Sequence, residues 1–207
     1  MNAHDASLNA QYAAVVLAGG LSIRMKQFKP LLPLGDETIA DRVISTFLRN
    51  KVDVFLVVGY RAEDIAAGIK KRDITIVYNP DYEKGMFSSI QAGIRRLGPE
   101  CQAFFINPVD IPLVRPATIK RLMTASGKNP DKIVYPVFEG KRGHPPLIPS
   151  ALAPAILGWK KGGGLKAVLK SKERLALEVP VPDSFTLFDI DTPEDYAELR
   201  EHFKRLR

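Results

Sequence analysis

Short apolar runs alternate along the chain with stretches in which apolar residues recur every third or fourth position. The runs at 13–17, 52–58, 74–78 and 103–106 have strand length and are rich in β-branched residues, and they predict buried strands. Between them, residues 39–48 place Ile39, Val43, Ile44, Phe47 and Leu48 on one face of a helix. Segments 62–69 and 88–97 repeat the pattern with Ile65/Ile69 and Ile90/Ile94/Leu97. Strands alternating with helices of this length predict βαβ units and a largely parallel sheet. After Pro112 the rhythm changes. A helix over 117–123 precedes two apolar segments, 133–138 and 145–148, separated by the turn-rich Glu139-Gly140-Lys141-Arg142-Gly143. That pair reads as an antiparallel hairpin, or as a strand followed by a long loop. Segments 175–181 and 185–190 are expected to form another strand pair. A last helix opens with Thr192 as N-cap, Pro193 at its first position, and Glu194 and Asp195 in its first turn. The expected organisation is a disordered tail over 1–11 and a single α/β domain over 12–207 with a mixed, mostly parallel sheet.

Composition narrows the class. The 207 residues are 45% hydrophobic and 26% charged, as in a globular protein with one sizeable core. No apolar run approaches the roughly 18 residues of a membrane span, and the first residues lack the basic and apolar regions of a signal peptide. Cytoplasmic location is the expectation. The lone Cys101 has no cysteine to pair with, and three scattered histidines offer no zinc-ligand spacing. The formal charge of +7 favours an anionic partner. Basic residues are nevertheless mixed with acids, as at 70–73 and 170–174, and form no dense basic arm. Nucleic acid and membrane are therefore not expected partners; phosphorylated small molecules are.

Three segments carry candidate chemistry. The first strand feeds Leu17-Ala18-Gly19-Gly20-Leu21-Ser22-Ile23-Arg24, with Lys29 five positions on. Small residues at 18–20 let backbone amides approach a polyanion, Arg24 and Lys29 add fixed positive charge, and Ser22 adds a hydroxyl donor. Neither a Walker A loop nor G-x-G-x-x-G is present. The second segment, Asn107-Pro108-Val109-Asp110-Ile111-Pro112, sets an aspartate on a stiff turn just past a buried strand. Such a carboxylate suits Mg²⁺, which takes one or two carboxylates and completes its shell with water and phosphate oxygens. The third, Asp189-Ile190-Asp191, has a spacing expected to put both carboxylates on one face of a strand end, so that Asp191 supplies a second ligand. Ser88 and Ser89, opening a helix, and His144 beside Gly143 are expected acceptor or base contacts.

Taken together, LAGGLSIRM with Lys29, VVGYR (57–61), YNPDYEKGMFSSIQAG (78–93), PVDIPLV (108–114), RGHP (142–145) and DIDTPEDY (189–196) resemble the nucleotidyltransferases of molybdenum cofactor maturation, most closely the cytidylyltransferase branch. The pieces follow the family's order over most of the chain. The resemblance implies a Rossmann-like three-layer sandwich of glycosyltransferase-A-like type and transfer of CMP from CTP, or GMP from GTP, onto molybdopterin phosphate with release of pyrophosphate. It implies nucleotide contacts at Leu17, Ala18, Gly19, Gly20, Ser22, Arg24, Lys29, Pro108 and Asp110, with Arg24, Lys29 and Asp110 catalytic. It further implies Mg²⁺ on Asp110 and Asp191, an acceptor pocket including Ser88, Ser89 and His144, and a client molybdoenzyme as a further partner. Two positions depart from the family pattern: Lys26 stands where glycine is usual, and Leu-Ala-Gly-Gly at 17–20 follows the guanylyl rather than the cytidylyl form.

In the reaction so implied, an acceptor phosphate oxygen displaces pyrophosphate at the α-phosphorus. That nucleophile is already anionic at neutral pH, so placement and charge neutralisation suffice without a strong base. Two other readings fit the same residues: a different transferase on the same scaffold, acting on a sugar phosphate or being a D-x-D glycosyltransferase, and a non-catalytic module that binds nucleotide and delivers cofactor.

Overall fold

Strand β1 (Tyr12–Leu17) is apolar from Ala13 onward because both of its faces are covered, the usual condition of a central parallel strand. Ala14 and Val16 face one core cluster; Ala13, Val15 and Leu17 face the other. The structure, a computed structural model, describes residues 11–20, 25, 27–71 and 73–205. Of the expected disordered tail only Gln11 is described; residues 1–10 lie outside the described residues.

After β1 come the two-residue strands β2 (Pro33–Leu34) and β3 (Glu37–Thr38), then α1 (Ile39–Leu48). Helix α1 starts where a capping box forms: the Asp41 N–H donates to the Thr38 hydroxyl, and the Thr38 N–H donates to the Asp41 carboxylate. Asp41, fully buried, also accepts from the N–H groups of Lys70 and Lys71 and so ties the helix to a distant loop. Ile39, Val43, Ile44 and Phe47 are all buried, each worth about 1.5–3 kcal/mol relative to exposure. Next follow β4 (Asp53–Val58), α2 (Ala62–Gly68), β5 (Thr75–Tyr78), α3 (Met86–Ile94) and β6 (Ala103–Pro108). The remainder is α4 (Pro116–Lys128), β7 (Ile133–Phe138), β8 (Lys141–Arg142), β9 (Leu147–Pro149), α5 (Ala153–Leu157), α6 (Gly164–Ser171), β10 (Ala176–Pro180) and α7 (Pro193–Arg205).

The main sheet runs β10-β7-β9-β6-β1-β4-β5, with β8 pairing β7. Pairings β1–β4, β1–β6, β4–β5 and β7–β10 are parallel; only the contacts of β9 and β8 are antiparallel. One core cluster joins the sheet to residues of α1, α2, α4 and α7, and the other joins it to α3, α5 and α6. The result is a three-layer α/β sandwich with a mixed, mostly parallel sheet. No helix among the described residues is long and apolar enough to cross a membrane.

Strand order reverses at β1: the chain moves outward through β4 and β5, then returns to place β6 on the other side. Open α/β sheets bind ligands at such a switch point, beyond the carboxyl ends of the strands. Helix α3 approaches that edge closely because Gly93 has no side chain. A Cβ there would overlap Val15 Cγ1 and stand 3.0 Å from Val57 Cγ2.

The second half departs from the periodicity in definite ways. Segment 185–190 is not a strand. The Asp183 carboxylate accepts from the Phe185 N–H, turning the chain into a 3₁₀ turn over Ser184–Leu187, and no strand pairs with it. The Asp189/Asp191 pair therefore does not share one face of a strand end: Asp189 is exposed and Asp191 half-buried in the loop before α7. β7 does form a hairpin, but with β8, through Glu139 and Gly140, both at positive φ. β9 begins only at Leu147, since Pro145 and Pro146 donate no ladder hydrogen bond, and it inserts between β6 and β7.

Candidate nucleotide and metal site

A cleft of about 580 Å³ opens at the carboxyl ends of β1 and β6. Leu17, Ala18, Gly19 and Gly20 line it from β1, and Pro108, Val109 and Asp110 from β6. Two backbone bonds set these walls. The Ala18 N–H donates to Val57 O at 2.8 Å, and the Val109 N–H donates to Leu17 O at 3.0 Å. Met25, Lys29 and Pro30 line it from the segment after β1, and Tyr82, Glu83, Gly85, Met86 and Ser89 from the turn before α3 and the start of that helix. Asp191 completes the lining from the loop before α7.

The charged centre is Lys29. Its ammonium is 3.4 Å from Asp191 Oδ1 and 3.8 Å from Asp110 Oδ2, and it donates to the Ile190 carbonyl. Its side chain is only 10% exposed, so this is a held contact rather than a surface pairing. Burial pushes the Asp110 carboxyl above its ordinary value; Lys29 opposes the rise, while Asp191 and Asp189 add to it. One ammonium thus faces more negative charge than it neutralises, which is the condition a hard divalent cation relieves. Asp110 and Asp191 are the carboxylates that could hold such an ion. Among the described residues no group of three or more metal-ligating side chains occurs, so further ligands would be water and phosphate oxygens.

Backbone bonds hold the two loops that carry these carboxylates. The Ile190 N–H donates to Asp110 O at 3.0 Å, coupling the two loops. Asp195 Oδ2 accepts from the N–H groups of Asp191 and Thr192, both at 2.8 Å, while the Asp195 N–H donates to the Thr192 hydroxyl. Thr192 and Asp195 therefore form a capping box on α7, and Asp191, one residue earlier, is held by the same box while facing the cleft.

Asn79 organises the opposite wall. Its amide donates to the hydroxyls of Ser88 (2.9 Å) and Ser89 (3.0 Å), and its carbonyl accepts from the Asp81 N–H. Ser88 in turn donates within hydrogen-bond distance of Asp81 O and Gly85 O, so its hydroxyl braces the 81–85 turn. Gly59 lets the Tyr82 ring lie against the end of β4; any Cβ there would overlap that ring.

Of the residues expected from sequence, Leu17, Ala18, Gly19, Gly20, Lys29, Ser89, Pro108, Asp110 and Asp191 all line the cleft. Ser88 and His144 are not among the lining residues. His144 is exposed beside β9, its N–H donating to Thr186 O at 2.8 Å. Desolvation lowers its imidazole pKa, and Asp189 pulls the other way. Ser22, Arg24 and Lys26 lie outside the described residues. Tyr82, Glu83 and Met86 lie within the 78–93 stretch that carries the resemblance but are not singled out there as site residues; the turn that Asn79 braces brings them to the cleft.

The arrangement is suited to a polyphosphate: small residues for close backbone approach, a buried ammonium, and two carboxylates for a divalent ion. Ser89, the aliphatic hydroxyl among the cleft's described residues, is bonded by an amide rather than by an imidazole, so it is not an activated nucleophile.

Comparison with known proteins agrees with this chemistry. The family described as MobA-like NTP transferase domain matches residues 14–176. The chain is 25% identical over 193 residues to the molybdenum cofactor cytidylyltransferase of Escherichia coli strain K12, covering 93% of this chain and 97% of that protein. It is 29% identical over 195 residues to the molybdenum cofactor guanylyltransferase of Rhizobium meliloti strain 1021, covering 88% and 87%. The crystal structure of the Mycobacterium sp. strain JC1 homologue of Mycobacterium tuberculosis Rv0371c superposes with a TM-score of 0.84 at 22% identity, covering 97% of this chain and all of that one.

Proposed function

The chain belongs to the MobA-like NTP transferase family and is a nucleotidyltransferase, and from that premise we propose that it transfers CMP from CTP to molybdopterin phosphate, with magnesium, releasing pyrophosphate. The convergence of Gly19, Lys29, Asp110 and Asp191 on one cleft at the sheet's switch point carries the reading. Molybdenum cofactor as acceptor is supported by the names of two full-length relatives, one of each base preference. The segments from 78 onward favour the cytidylyl branch; the Leu-Ala-Gly-Gly opening favours the guanylyl one.

The β1 loop and Lys29 receive the triphosphate, and residues of the 79–89 wall line the same cleft. Asp110 and Asp191 would hold the magnesium ion, which when bound neutralises phosphate charge as pyrophosphate departs. The chain's own contribution is to fix the triphosphate so that an acceptor oxygen meets the α-phosphorus in line. Because that oxygen is anionic at neutral pH, neither Ser89 nor His144 is needed as a base.

Transfer of label from α-labelled CTP or GTP to molybdopterin, with Mg²⁺ present, tests the reading, with sugar phosphates as competing acceptors. Labelled molybdopterin formed from CTP is the expected product. A decisive preference for GTP would overturn the base assignment, product only from sugar phosphates would overturn the acceptor, and nucleotide binding without pyrophosphate release would overturn transfer itself.

A further inference from the structure

We propose that Lys29 occupies the cation position of Asp110 and Asp191 while the nucleotide is absent and leaves it for the triphosphate, so that divalent ion and nucleotide enter as a coupled pair. The inference rests on the proposed triphosphate site and goes beyond it, because it assigns Lys29 two stations and makes metal binding to the free protein unfavourable.

The ammonium now satisfies itself on three oxygens: the Ile190 carbonyl, Asp191 Oδ1 and, at 3.8 Å, Asp110 Oδ2. A divalent ion would seek the two carboxylates too. Two cations cannot share them at such distances without strong mutual repulsion in a partly buried site. Lysine is suited to vacate the position, since its charge sits on a flexible four-carbon stem. It needs somewhere to go, and a triphosphate in the same cleft supplies several anionic oxygens. The carboxylates need not follow it: Asp191 keeps its backbone bond to Asp195, and the Asp110 backbone keeps its bond to Ile190. The site is thus set for an exchange of cations on two carboxylates whose backbones stay anchored.

The test titrates Mn²⁺ into the full chain without nucleotide, following free Mn²⁺ by electron paramagnetic resonance. Lys29→Met should bind Mn²⁺ at least about tenfold tighter than wild type, and Lys29→Arg should not. Adding Asp110→Asn to Lys29→Met should abolish the gain. If Lys29→Met is unstable because two carboxylates have lost their cation, Mn²⁺ should raise its melting temperature more than that of wild type. Equal Mn²⁺ affinity in Lys29→Met and wild type, with equal melting responses, would overturn the exchange. Should wild-type transfer still require a divalent ion in that event, only the exchange falls; transfer that needs none would bring down the underlying magnesium reading as well.

Discussion

Asp183→Ala should be among the most damaging substitutions outside the cleft. The carboxylate is 1% exposed and accepts from the Arg115 N–H at 2.9 Å, the Thr118 hydroxyl at 2.6 Å and the Phe185 N–H at 3.3 Å. It thereby pins the N-terminus of α4 to the segment that leads, eight residues on, to Asp191. Alanine would leave two backbone N–H groups and one hydroxyl without these partners. Each unmet donor costs about 1–3 kcal/mol, and water entering beside the exposed part of Arg115 recovers some of it, leaving a net loss of about 3–5 kcal/mol. Against a total stability of about 5–15 kcal/mol that is a large fraction. Chemical denaturation should show a lowered midpoint at unchanged slope, with Asp183→Asn intermediate because it keeps one acceptor oxygen and the volume. A loss below about 1 kcal/mol for the alanine variant would refute the view that this carboxylate organises the loop.

Two further changes probe the elements that carry the site. Asp195→Asn removes the charged half of the α7 capping box and should cost about 1 kcal/mol at neutral pH. Backbone hydrogen bonds from Asp191 and Thr192 hold the Asp195 carboxyl below its ordinary value. Its contribution is therefore present above the unfolded-state value near 4 and is lost as pH falls through the lower native one. Melting curves of the two proteins should converge in acid, and a difference that persisted unchanged there would contradict the cap. Gly93→Ala gains about 1 kcal/mol of helix propensity but forces a methyl into Val15 and Val57, an overpacking cost of about 1–3 kcal/mol. A net lower melting temperature, relieved by Val15→Ala, is expected; a more stable Gly93→Ala would show that α3 does not pack so closely on β1.

Where one local signal decides an element, the sequence is readable. Helix α1 runs over the very residues its periodicity marks, because a capping box starts it and four buried apolar side chains face one way. β7 has its expected bounds for a similar reason. The misreading at 185–190 shows the limit: its apolar residues pack in the core as a strand's would, but Asp183 bends the backbone locally. α5 has five residues and contains a proline, and α6 opens after consecutive glycines at positive φ, so neither announces itself by periodicity. In the cleft, Lys29 and Asp110 were legible because the segments past β1 and β6 carry their chemistry in residue type, whereas Asp191 reaches the cleft from the loop before α7 and not from the strand end its spacing suggested. Met86, Tyr82 and Glu83 fall inside the 78–93 motif but are not singled out by it, since their place in the cleft depends on the turn that Asn79 braces from the end of a neighbouring strand.

The most direct measurement is the turnover of Asp110→Ala in label transfer from α-labelled CTP to molybdopterin with Mg²⁺, beside a melting curve showing that the variant is folded. A fall on the order of 10²–10³ or more in turnover, with the fold retained, is predicted from the loss of an electrostatic contact at the reacting phosphates. Near-normal turnover in that variant would contradict the claim that transfer depends on the carboxylates and Lys29 gathered at the switch point.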